Sequence, residues 1–178
     1  MIQTERLLLR KPVLEDAQPA LDLITDPVAM EFLGGVHPDA ATDPEFVVRR
    51  WIGRWDGNGC GPFSIVRLDD GRWLGRCGVL VWDNRTWTHT TFADSGEFAQ
   101  SELGWALARE HWGHGYATEA ALAARDWAYD DARGFRPLIS LIEGANVRSQ
   151  RVAERLGATP GKTIELFDNG PHVVWTHP

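Results

Sequence analysis

At 178 residues, with 43% hydrophobic and 24% charged side chains, the chain has the size and balance of one folded domain around a single core. A formal net charge of −7 argues against nucleic-acid binding as its main business, and no apolar run approaches the roughly 20 residues of a membrane-spanning helix. Two cysteines, Cys60 and Cys77, are too few for a disulfide framework or a four-ligand metal site, and the opening Met-Ile-Gln-Thr-Glu-Arg lacks a signal-peptide layout, so a cytoplasmic location is expected.

In chain order, Arg6 to Arg10 reads as an opening strand. Leu14 to Ile24 follows as a short helix with acidic residues in its first turn, broken at Asp26-Pro27. Met30 to Thr42 is loop-like. A second helix is expected from Pro44 to Trp55, with Asp43 as N-cap and Pro44 at its first position, ended by the turn cluster Gly57 to Pro62. Phe63–Leu68 and Trp73–Trp82 flank Asp69-Asp70-Gly71-Arg72, a hairpin signal. Asp83 to Gln100 is irregular. A strand from Ser101 to Leu107 leads into a long helix, about Gly115 to Ala132, with Gly134 and Pro137 in the next turn. Leu138–Ile142 suits a strand buried on both faces. Asn146 to Leu156 is a helix with Asn146 as N-cap and Gly157 past its end. Thr163–Phe167 and His172–Thr176 close the chain as a hairpin across Asp168-Asn169-Gly170-Pro171. These elements predict an α+β single domain over residues 1–178: a mixed, mostly antiparallel sheet of about six to seven strands, flanked by about four helices.

The stretch from Leu103 to Ala120 carries the chemistry. Strand, glycine turn (Gly113-His114-Gly115) and helix in succession aim several free N–H groups at one place, where the helix dipole adds partial positive charge. Glycines let that backbone approach a bulky anion, so a phosphate or pyrophosphate suits it, although a plain tight connection would use the same residues. Ala117, Ala121, Ala124 and Ala128 fall on one helical face, which seats the helix close to a sheet. Arg109, His111 and His114 beside the turn, with Arg148 and Arg151 later, reverse the acidic background locally. His111-x-x-His114 lacks a third ligand and the helical spacing of a zinc motif, so no metal is expected.

Three stretches in this order resemble the GNAT superfamily of N-acetyltransferases, and within it the RimJ/RimL-like type that acetylates ribosomal-protein N-termini. They are Thr4-Glu5-Arg6-Leu7-Leu8-Leu9-Arg10; Glu102 to Leu107 followed by Trp112 to Ala120; and Asn146 to Gly157. One departure is Glu110, where the general signature has Gln or Arg three residues before the first glycine. That leaves open whether Arg109 or His114 assists the backbone at the pyrophosphate.

The resemblance implies that acetyl-CoA is the cosubstrate, lying in a splay between the strand ending near Leu107 and the strand Leu138–Ile142. Its pyrophosphate would rest on the amides of Trp112, Gly113, His114, Gly115, Tyr116, Ala117 and Thr118. A backbone N–H among Trp105, Ala106 and Leu107 would polarise the thioester carbonyl, and Asn146 would hold the pantetheine arm or simply cap its helix. Glu102 is the candidate general base, or else an ordinary strand residue paired with an arginine. The tyrosine acid of many relatives has no counterpart outside the long helix, which holds both Tyr116 and Tyr129. Ser149 takes that place, as donor to the leaving thiolate or as part of the helix cap. The acceptor would be a primary amine, either a protein N-terminus or a small molecule such as an amino acid, polyamine or aminoglycoside. A non-catalytic acyl-CoA-binding domain is the alternative of a different class. A dinucleotide-dependent oxidoreductase fits poorly, because Thr118 stands where Gly-x-Gly-x-x-Gly needs glycine. No nucleic acid or membrane is expected as partner, and the chain may be read as a monomer or a homodimer.

Overall fold

Leu7 and Leu9 are fully buried while their neighbours Leu8 and Arg10 are half-exposed, the period-two pattern of a strand with one face on a core. The computed structural model describes residues 1–34, 38–41, 43, 45–130, 135, 137–166 and 170–178. In chain order its elements are β1 (Ile2–Gln3), β2 (Leu7–Arg10), α1 (Ala17–Thr25), α2 (Phe46–Asn58), β3 (Pro62–Arg67), β4 (Trp73–Asp83) and β5 (Thr88–His89). They continue as α3 (Phe92–Ser95), β6 (Ala99–Leu107), α4 (Tyr116–Ala128), β7 (Leu138–Glu143), α5 (Val147–Arg155), β8 (Thr159–Leu166) and β9 (Gly170–Thr176).

All the strands form one sheet in the order β1-β2-β3-β4-β6-β7-β9-β8, with β5 paired to β4 off that path. Every pairing is antiparallel except β6 with β7. The expected α+β class and mixed sheet are present. Among the described residues the strand count rises to nine because β1 and β5, two residues each, carry too little periodicity to be read in advance.

Parity along the strands assigns the two faces. Cys77, Val79 and Val81 of β4 join Leu103, Trp105 and Leu107 of β6 in one core with Ala120, Ala121, Ala124 and Ala128 of α4. Those alanines are fully buried, so the small-residue stripe does seat α4 against the sheet. Leu7, Leu74, Leu103 and Leu138 are equally buried, each worth roughly 1.5–3 kcal/mol of apolar transfer. Residues of the other parity, among them Arg76, Leu80, Trp82 and Glu102, therefore face the opposite side, where α1 packs on α2 and on β4. Gly75 belongs to this arrangement, since a Cβ there would sit 2.2 Å from the Ala106 carbonyl oxygen of the neighbouring strand.

Helix boundaries differ from expectation for local reasons. Leu14–Asp16 is a 3₁₀ turn before α1, and Asp16 is buried rather than solvated. Its carboxylate takes Arg10 Nη1 and Nη2 at 2.8 and 2.6 Å and the Ser64 hydroxyl at 2.6 Å. α2 starts at Phe46 with Glu45 as N-cap, and Asp43 instead accepts the Glu45 N–H at 3.0 Å. The helix runs through Gly57 to Asn58, and Gly59 ends it with φ of 65°. α4 stops at Ala128, four residues short of the expected end. The stretch read as irregular contains β5 and α3. Pro44 as first helical residue, Ala132 as helix end, Gly134 in its turn and Asp168-Asn169 in the last hairpin lie outside the described residues.

Candidate active site

The parallel pairing of β6 with β7 consists of Ser101↔Leu138 and Glu102↔Ile139, after which the two strands part. The Ser140 hydroxyl, rather than a backbone N–H, donates to the Leu103 carbonyl at 2.6 Å where they separate. Ala108 N–H bonds Leu74 O across the antiparallel β4–β6 register, so the even residues of β6 bond to β4. Trp105 and Leu107 consequently turn their N–H groups toward the gap that β7 has left.

Beyond β6 the chain turns through Gly113 and Gly115, each at φ of 80°, a left-handed conformation that glycine adopts without strain. Among the described residues, the amides from Gly113 to Thr118 make no hydrogen bond, and they lie at the positive end of the α4 dipole. The turn is fixed from outside. Arg6 Nη1 donates to the His114 carbonyl at 3.0 Å, and the Arg6 guanidinium also lies 4.7 Å from the Tyr116 ring centre. Strand gap and turn open into one cavity of about 370 Å³. Trp105, Ala106, Leu107, Trp112, Gly113, Gly115, Tyr116, Ala117, Thr118, Asn146 and Ser149 line it, as do Ala29, Phe32 and Leu33 from the segment after α1. Arg148, Arg151 and Arg155 bring three guanidinium groups along one side of α5, and Arg148 stacks 4.2 Å over the Trp112 ring.

A smaller pocket of about 60 Å³ continues past Trp105, Asn146 and Ser149 to Glu102 and Arg76. Glu102 is 8% exposed, and its Oε2 accepts the Trp82 indole N–H at 2.6 Å. Burial raises the Glu102 pKa, outweighing the Trp82 bond, the Arg76 charge, the Leu141 N–H and the Arg54 charge, all of which favour the carboxylate. Asn146 caps α5 by accepting the Ser149 N–H at 3.1 Å. The Ser149 hydroxyl itself has no hydrogen-bond partner among the described residues and lines both pockets.

Of the residues singled out from sequence, Arg109 and His114 stand off the cavity wall. Arg109 Nε pairs with Asp26 at 2.7 Å, and the His114 ring leans on Tyr116 with centres 5.6 Å apart. His111, read beside the turn, is buried and lines the wall, while sequence reading missed Arg155 and the segment of Ala29, Phe32 and Leu33. Arg155 follows Arg148 and Arg151 at helical spacing, a signal that was present. Phe32 and Leu33 gave none, because a loop wall has no period.

A family model described as an acetyltransferase (GNAT) domain matches residues 6–159. The chain belongs to the GNAT acetyltransferase family. It is 31% identical to the uncharacterized protein YkkB of Bacillus subtilis, over 97% of this chain and 92% of that one. It is 28% identical to the uncharacterized N-acetyltransferase p20 of Bacillus licheniformis, over 93% and 92% respectively. Among solved structures, an acetyltransferase from Agrobacterium tumefaciens superposes with a TM-score of 0.78 at 28% identity, covering 99% of this chain and 93% of that one. Solved structures of the same fold include an aminoglycoside acetyltransferase in complex with coenzyme A, with a TM-score of 0.72 at 15% identity over 96% of this chain and 94% of that one, and in complex with acetyl-CoA. The residues of the larger cavity fit such a ligand: unbonded amides and left-handed glycines suit a pyrophosphate, and the arginines of α5 suit its charge.

Proposed function

We propose that this GNAT domain is an acetyl-CoA-dependent N-acetyltransferase that transfers acetyl directly to a primary amine in a ternary complex. The observation that carries the reading is the joining of two different chemistries by one passage. An anion cradle at Gly113–Thr118 lies at one end, and a buried carboxyl with raised pKa, Glu102, lies at the other.

Bound acetyl-CoA supplies an acetyl group already activated as a thioester. The amides of Gly113 to Thr118 and the α5 arginines hold its phosphates. The N–H groups of Trp105 and Leu107 point into the strand gap, where they can stabilise negative charge on the carbonyl oxygen. Glu102 takes a proton from the acceptor ammonium, directly or through water, which its raised pKa favours. The freed nitrogen lone pair forms the N–C bond, the C–S bond breaks with its electrons on sulfur, and the second nitrogen proton ends on the thiol. Ser149 Oγ–H, which has no partner among the described residues, donates a hydrogen bond to the departing sulfur. Direct attack is favoured over an acetyl-cysteine route because Cys60 and Cys77 are buried and their thiols are pushed up to about 12. The RimJ/RimL-like motifs support a protein N-terminal amine as acceptor. The narrow pocket at Glu102 supports a small amine.

Titration with acetyl-CoA followed by thiol release against amines and N-terminal peptides tests the reading. Binding with release that Glu102→Gln suppresses supports it. Binding without release from any amine would leave a non-catalytic acyl-CoA-binding domain.

A further inference from the structure

We infer that the acceptor carries its own anion, a carboxylate or phosphate, which docks on a cluster of arginines beside Glu102. This rests on the N-acetyltransferase reading above and names its substrate class.

A second cavity of about 390 Å³ lies on the α2 side of the sheet, lined by Arg50 and Arg54 of α2, by Leu80, and by His89, Thr91 and Asp94 across from them. Leu80 also lines the Glu102 pocket and is the cross-strand partner of Glu102 itself, so the two spaces are neighbours across one side chain. Arg76 lines the Glu102 pocket, and its charge reaches Arg54 of the second cavity. A Cβ added at Gly104 would lie 3.8 Å from Arg76 Nη1 and 3.7 Å from Glu102 Oε1, which puts both charged ends over the same point of β6. Trp82 links the two from the other side: its N–H binds Glu102 at 2.6 Å while its ring lies against His89, centres 3.9 Å apart. His89 Nδ1 in turn faces Arg54 Nη1 at 3.5 Å.

Glu102 is the carboxylate whose charge acts on Arg54 and Arg76 here. Among the described residues, Arg50, Arg54 and Arg76 make no ion pair, whereas exposed arginines elsewhere, such as Arg49 and Arg85, do. Arg50 and Arg54 line this cavity and Arg76 lies near enough to act on Arg54, while Asp94, the one carboxylate among the cavity's described lining, already accepts the Thr91 hydroxyl at 2.6 Å. Desolvation first, then the charges of Arg76 and Arg50, push Arg54 down to about 10 against the opposing charge of Glu102, the direction an incoming anion would reverse. The Arg54 guanidinium has only N–H donors to offer, so His89 Nδ1 is the acceptor of that contact. The walls are set in advance: Asn58 at the end of α2 donates to Thr90 O at 3.2 Å and accepts Phe92 N–H at 2.9 Å. A planar fork of donors on a fixed wall suits a carboxylate or phosphate. It disfavours a polycation such as the ribostamycin bound by the aminoglycoside acetyltransferase of the same fold. With its anion on Arg50 and Arg54, an acceptor extending past Leu80 brings its ammonium to Glu102.

The test compares matched amines at saturating acetyl-CoA. They are phosphoethanolamine with ethanolamine, ω-amino acids of increasing length with their amides, peptides with acidic and neutral N-termini, and spermidine. The expected result is a preference of about tenfold or more in kcat/KM for the anionic member, carried by KM. The Arg50→Gln, Arg54→Gln double variant should erase the preference while leaving the KM for acetyl-CoA unchanged. A response confined to small amines or to acidic peptides identifies the source of the anion, and either supports the inference. Thiol release that is equal for neutral amines, or greatest for spermidine, overturns it while leaving N-acetyl transfer standing. No release with any amine overturns both.

Discussion

Arg6 and Glu119, 113 positions apart, are joined by Arg6 Nε and Nη2 on Glu119 Oε2 at 2.7 and 2.6 Å. The Arg6 N–H and the Thr4 hydroxyl take the other oxygen at 2.9 and 2.6 Å. Glu119 lies in the first turn of α4, so β2's approach fixes the helix end whose amides line the cavity. Glu119→Ala should weaken acetyl-CoA binding by about tenfold and cost about 1–3 kcal/mol, part of the pair being exposed. Calorimetric titration and thermal melts measure the two effects, and unchanged affinity would show that the turn holds its shape unaided.

Gly113 and Gly115 test the cradle from the backbone. Alanine at either position meets no prohibitive contact but must hold a positive φ, at about 1–2 kcal/mol. The expected outcome is a raised Kd for acetyl-CoA with little change in the KM of the amine. Equal binding by both variants would place the phosphates elsewhere.

Because burial raises the Glu102 pKa, the base becomes ionised only above the usual carboxylate range. The kcat/KM profile should therefore climb with pH through that raised value. Glu102→Gln should flatten the limb and lower kcat by about 10²–10⁴ with acetyl-CoA affinity retained. A limb that persists in the variant belongs to another group.

Ser149 and Asn146 should separate cleanly. Asn146→Ala removes the α5 cap and should cost about 1 kcal/mol in denaturant unfolding. Ser149→Ala should change stability by less than about 0.5 kcal/mol yet reduce kcat, since its hydroxyl plays no part in the cap. Equal stability losses would return Ser149 to a structural role.

Asp16 is a buried carboxylate at the start of α1. Burial pushes its pKa up, but the Arg10 and Ser64 hydrogen bonds and the Val13 N–H leave it below normal. The unfolded chain therefore takes up that proton more readily, and the stabilisation is full at neutral pH and lost as pH falls below the ordinary aspartate range. Asp16→Ala should cost about 3–5 kcal/mol by leaving Arg10 unpaired, and acid titration of its Tm should lose that component.

Much of this was legible in sequence, and the boundary of legibility is physical. The Thr4–Arg10, Glu102–Ala120 and Asn146–Gly157 stretches announced themselves because strand period, glycine turn and helix cap each leave a local pattern. Asn146 as cap and the alanine face of α4 are of this kind. Arg50, Arg54 and Arg76 left none: two lie on α2 and one on β4, and only tertiary packing brings them beside Glu102. Asp16 was read only as a first-turn acid, because its pairing with Arg10 and with Ser64, 48 residues away, has no periodic pattern. α2 outran its expected end because Gly57 was read as a breaker, whereas Gly59 supplies the left-handed stop.

The short seam between β6 and β7 means that a strand in the middle of the sheet has, over its second half, a free border. Protection against amide hydrogen exchange should alternate along β6. Ala106, bonded toward β4, should exchange slowly, while Trp105 and Leu107 should trade their hydrogens for deuterium like residues at a sheet's rim. Saturation with coenzyme A should slow those two, giving a residue-by-residue record of the gap being filled.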